Sequence, residues 1–145
     1  MGLFGKLFGA KEETFPALDP ASPAAQNIKK FHAQFEALAK KVDDRYEVVP
    51  SANILYVFLG KPPGMFGIAW FLEGDATEHN LKTLMAKKGL SVRKIDNVMG
   101  KLRTAYTESA AEARFSVDIA GKNAFVVPSD AFAAKLYNIL HMLDE

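Results

Sequence analysis

The amino-acid sequence predicts an α+β fold built on an antiparallel sheet of about five strands. Three observations carry this expectation. Residues 54–59 and 68–72 are apolar at every position, as buried strands are, and residues 114–120 alternate apolar with polar side chains, as a half-exposed strand does. Three other stretches place apolar residues three and four apart behind a serine, in the manner of capped helices. The connections between strands are short, and short connections join antiparallel neighbours.

Taken in order, residues 1–9 set Leu3, Phe4, Leu7 and Phe8 at helical spacing on one face, among three glycines that weaken a free helix. Residues 10–22, with Pro16, Asp19, Pro20 and Ser22, read as a linker. The expected organisation is therefore an N-terminal amphipathic segment and linker over 1–22 and a single α+β domain over 23–145. Ser22 caps the first helix, with Pro23 at its first position. That helix is expected to run unbroken to about Asp44, because Ile28, Phe31, Phe35, Leu38 and Val42 form one seam without Gly or Pro.

Strands over 46–49 and 53–59 follow, then a turn over 60–64 whose prolines and glycines break any ladder, then a third strand over 65–73. Asp75 and Glu78 have capping-box spacing and are expected to open a short helix that Gly89 stops. Ser91 caps the next helix, with Val92, Ile95, Met99, Leu102 and Tyr106 as its seam. Phe115, Val117 and Ile119 share one face of the fourth strand, a hairpin turn over 120–123 leads into a fifth, and Ser129 or Asp130 caps a last helix with Phe132, Leu136, Ile139, Leu140 and Leu143 inward. The predicted order is α-β-β-β-α-α-β-β-α behind an N-terminal appendage.

A chain of 145 residues suits one ordinary domain, and 49% hydrophobic with 24% charged residues suits a globular one. No cysteine is present, which excludes a disulfide framework, a thiol nucleophile and cysteine-built zinc sites, and fits a reducing compartment. The apolar runs are short of a membrane span, and the N-terminus lacks the pattern of a secretory signal, so a cytoplasmic protein is expected.

Three features bear on function. Both faces of the strands over 54–59 and 68–72 avoid water, so the sheet needs two covers: helices, a second subunit or a ligand. Tyr56, Phe58, Trp70 and Phe71 are the candidate interface or pocket residues, Tyr56 and Trp70 serving as anchors with a large apolar body and a polar tip. Arg93, Lys94 and Lys101 form a candidate basic patch on one helix, whereas Lys87 and Lys88 suit the dipole at a helix C-terminus. The net charge of +1 and the lack of interleaved aromatics speak against nucleic acid as a partner. Leu3, Phe4, Leu7 and Phe8 are candidate contacts to a membrane interface or a partner groove, with location at the inner face of the membrane as the corresponding expectation; Lys6 breaks the myristoylation pattern.

His32, His79 and His141 are isolated, with no second histidine at ligand spacing, so no metal or cofactor is expected. Glu73, Asp75 and Asp118 show no pairing that general acid–base work requires. In element order alone, α-βββ-α-ββ-α resembles the type III secretion chaperone fold, a resemblance that implies a homodimer holding an unfolded protein segment. One additional helix and the near-neutral charge depart from it, and no residue is carried over. The expectation is a non-enzymatic, homodimeric protein-binding or adaptor domain; the alternatives are a peripheral membrane protein anchored by residues 1–9 and a binder of small apolar ligands.

Overall fold

Ser22 does open a helix: its hydroxyl accepts the Ala25 N–H at 3.2 Å with Pro23 at the first position. In the computed structural model, which describes residues 14–144, α1 (Pro23–Lys29) is followed by α2 (His32–Lys41). The single helix expected to Asp44 is thus two. At the junction Lys30 and Phe31 donate to Asn27 and Ile28, three residues back rather than four, and this tighter winding ends the first helix. The seam survives the break, since Ile28, Phe31, Phe35 and Leu38 are all buried.

The strands are β1 (Tyr46–Pro50), β2 (Ile54–Gly60), β3 (Phe66–Leu72), β4 (His79–Asn80), β5 (Phe115–Ile119) and β6 (Lys122–Val126). They form one sheet in the order β4-β3-β2-β1-β6-β5. Strands β1 to β4 make an antiparallel meander and β5–β6 an antiparallel hairpin, but β1 and β6 are parallel, with Glu47 beside Phe125 and Val48 beside Val126. The expected antiparallel sheet of about five strands is therefore corrected to a mixed sheet of six. Turn chemistry sets the direction of a strand's neighbour in sequence; a long helical connection leaves the direction of the returning hairpin open. The sixth strand, β4, is two residues long and too short to show an alternation.

Three further helices complete the fold: α3 (Leu81–Lys88), α4 (Val92–Glu108) and α5 (Asp130–His141). Ser91 and Ser129 cap the last two, and Gly89 ends α3 at a left-handed φ of 65°. The start of α3 differs from expectation. Asp75 accepts the Thr77 N–H in a local turn, and Asn80 accepts the Thr83 N–H at 2.7 Å as the cap, because residues 79 and 80 must stay extended to pair with β3.

The sheet lies between two helical layers. On one face α1 and α2 bring Phe31, Phe35 and Leu38 onto Val48, Leu55, Val57 and Phe71. On the other, α4 and α5 bring Val98, Leu102, Phe132 and Leu136 onto Val49, Tyr56, Phe58 and Ile68. Strands apolar on both sides thus receive both covers from helices of the same chain.

The second half of the linker also has a fixed place. Ser116 donates its N–H to the Pro16 carbonyl at 2.8 Å and accepts the Leu18 N–H at 2.9 Å, so residues 15–18 run along the outer edge of β5. Leu18 enters the core, and Phe15 meets the Phe125 ring edge-on at 5.3 Å.

Candidate functional site

Antiparallel register puts Tyr56 beside Trp70 and Ile54 beside Leu72, on the sheet face that carries α3 to α5. These four side chains form the floor of a groove of about 530 Å³. Leu84, Lys87 and Lys88 of α3 make one wall, Tyr137, Leu140 and His141 of α5 the other, and β4 adds His79 beside Trp70. The groove stays open because α3 is short and buries only Leu81, so it reaches the sheet without filling the space above Trp70.

Two stacked pairs shape it. The Trp70 and His79 rings lie 6.0 Å apart and 17° from parallel; Tyr137 and His141, one turn apart on α5, lie 4.8 Å apart and 23° from parallel. Tyr56 is buried and Trp70 half-buried, while Tyr137 is 46% exposed at the mouth. Burial, and secondarily the neighbouring Tyr137, pushes the Tyr56 hydroxyl far above the ordinary tyrosine range.

The groove lining also carries Lys87, Lys88, His79 and His141, and no carboxylate among the described residues. Asp75 stands behind His79, its Oδ2 3.8 Å from Nε2, which is an ion-pair distance and too long for a hydrogen bond. Nε2 itself is buried without a hydrogen bond among the described residues. The Thr77 backbone N–H and hydroxyl hold the Asp75 carboxyl below its usual range, with a smaller contribution from His79.

A second charged cluster is built on a buried carboxylate. Glu47 on β1 is fully buried; its Oε1 accepts from Arg45 at 2.9 Å and from the Tyr106 hydroxyl at 2.7 Å, and its Oε2 accepts from Arg114 at 2.9 Å. Arg114 also donates to the Ser109 carbonyl and hydroxyl and lies over the Tyr106 ring. Every oxygen of Glu47 is engaged, so the cluster acts as a clamp between β1, α4 and the start of β5.

The structure brings together two of the four residues expected at an interface or pocket. Tyr56 and Trp70 line the groove, whereas Phe58 is buried among Phe66, Tyr106 and Phe132, and Phe71 is buried on the opposite face under α1 and α2. Arg93 is exposed and Lys94 half-buried in the first turn of α4; Lys101 shares a shallow depression with Asp96, Glu108 and Lys135, a surface of mixed sign. Leu3, Phe4, Leu7 and Phe8 lie outside the described residues. The i,i+4 spacing of Tyr137 and His141 puts the two one turn apart on the outer side of the last helix, where they stack, whereas nothing in the sequence sets His79 beside Trp70.

Among the described residues no group of His, Cys, Asp and Glu is arranged to hold a metal ion, and no helix is long and apolar enough to cross a membrane. Comparison with protein-family models, with curated proteins and with solved structures finds no match to this chain.

Proposed function

We propose that the chain is a binding protein that seats an apolar ligand in the groove between α3 and α5. One observation carries the reading: Tyr56, Trp70, Leu72 and Tyr137, from two strands and a helix, converge on one concavity. Its volume of about 530 Å³ falls within the roughly 300–1,000 Å³ of small-molecule sites. A protein partner needs about 800 Å² on each side. The large exposed hydrophobic residues among those described are Met65, Leu72, Val92 and Tyr137, of which only Leu72 and Tyr137 share a location. That scatter favours a small ligand over a broad subunit contact.

Amide and aromatic NMR spectra titrated with indole test the reading. Shifts are expected to cluster at Tyr56, Trp70 and Tyr137, and shifts elsewhere or none would refute it. Changes at the same three residues on raising protein concentration without indole would assign the groove to a second copy of the chain instead.

A further inference from the structure

We infer that the ligand of this groove is a flat aromatic molecule with one neutral hydrogen-bond acceptor, as in an aromatic ketone, and that the acceptor sits on the Tyr56 hydroxyl. The inference rests on the reading that the groove holds an apolar ligand, and adds the polar contact that orients it.

Two other tyrosines show what an inward-facing hydroxyl has in this fold. Tyr46 donates to the Val42 carbonyl, and Tyr106 donates to Glu47 at 2.7 Å. Tyr56 differs. It is 2% exposed, yet its hydroxyl makes no hydrogen bond among the described residues; besides burial, the group that acts on it is Tyr137, on the facing wall of the groove. Buried polar groups ordinarily have partners, and the groove is the side from which a partner can reach this one. His79 Nε2 stands 3.8 Å from Asp75, which lies outside the lining.

Register across β2, β3 and β4 sets Tyr56, Trp70 and His79 in one row, neighbours standing about 4.8 Å apart. Tyr137, stacked on His141, faces the row from α5. Rings on floor and wall suit a flat aromatic skeleton. Burial holds the Tyr56 proton far beyond its ordinary range, so the hydroxyl is a donor at neutral pH. Its oxygen shares a lone pair with the ring and accepts weakly. The same burial penalises an ionic group placed against it, which selects a neutral acceptor.

Two probes of one skeleton, 1-indanone and indane, differ in a carbonyl. Each is titrated into the full chain and into Tyr56→Phe, with NMR shifts giving the dissociation constants. The substitution is expected to change the ratio of the two constants about fivefold in favour of indane, the worth of one neutral hydrogen bond. In the unmodified chain, nuclear Overhauser contacts are expected from the protons flanking the indanone carbonyl to the Tyr56 ring. The indole N–H of Trp70 is the competing donor, and these contacts separate the two.

An unchanged ratio, or a carbonyl end that lies against Trp70 or Tyr137 instead, overturns the Tyr56 contact and leaves the groove reading standing. Failure of both probes to shift Tyr56, Trp70 and Tyr137 removes the groove reading and this inference with it.

Discussion

Arg114 donates its Nε–H to Oε2 of Glu47 at 2.9 Å, joining residues 67 positions apart in sequence with the carboxylate wholly out of water. Truncating one partner of a buried ion pair leaves the other charge unsatisfied, at a cost of about 3–5 kcal/mol. Glu47→Ala is expected to lose stability of that order in urea unfolding, because it removes the acceptor that Arg45, Arg114 and the Tyr106 hydroxyl share. A loss below about 1 kcal/mol would show that the cluster is not a clamp.

The tyrosine hydroxyls on this side of the sheet give a pH dependence. Burial raises the pKa of Tyr56; burial and then the bond to Glu47 raise that of Tyr106, both from an ordinary value of 10.0. The folded state therefore holds these protons more tightly than the unfolded chain. Their stabilising contribution is complete below pH 10.0 and is lost progressively as the pH rises toward the folded values. Alkaline titration followed by tyrosine absorbance and circular dichroism is expected to show Tyr56 and Tyr106 ionising together with unfolding, and Tyr106→Phe is expected to lose one of these late steps.

Core and groove are separable by stability. Phe58 is fully buried among three aromatic rings, so Phe58→Ala is expected to cost about 3–5 kcal/mol. Tyr137 is 46% exposed, and Tyr137→Ala is expected to stay within about 1 kcal/mol. Equal costs in denaturant titrations would mean that Tyr137 belongs to the core and not to a binding surface.

The β2–β3 hairpin depends on one glycine. Gly60 has φ +98°, and a Cβ there would lie 2.9 Å from the Met65 carbonyl oxygen. Gly60→Ala is expected to destabilise by more than about 1 kcal/mol. Gly67, in mid-strand with nothing within 4 Å of an added Cβ, is expected to gain about 0.5–1 kcal/mol as alanine. Thermal melts of the two variants should therefore move in opposite directions.

The edge of β5 supplies a truncation test. A chain beginning at Thr14 keeps the bonds of Pro16 and Leu18 to Ser116; one beginning at Pro23 loses them and uncovers a strand edge. The shorter chain is expected to melt earlier than the longer one and to aggregate faster in light scattering.

Local chemistry was legible in the sequence. Ser22, Ser91 and Ser129 cap where a serine before an apolar seam should, and Gly89 takes the left-handed conformation that ends a helix. Long-range relations were not. Nothing adjacent to Glu47 announces that Tyr106 and Arg114 will enclose it, and the parallel seam of β1 with β6 is set by packing over a long helical excursion. Asn80 displaced Asp75 as a cap because a two-residue strand pairing outranked a spacing rule. Of the groove, Tyr56 and Trp70 stood out as amphipathic aromatics in all-apolar strands. Tyr137 and His141 read only as the outer side of a helix until the sheet placed that side over Trp70.

The parallel seam also orders events on the ribosome. Strand β1 emerges with one edge paired by β2 and the other waiting for β6, which is translated roughly seventy residues later, several seconds at ordinary elongation rates. During that interval the nascent meander offers an apolar edge to any neighbour that reaches it. Late closure of this gap, and not formation of the early hairpins, is where a chaperone or a misassembled twin chain would intervene.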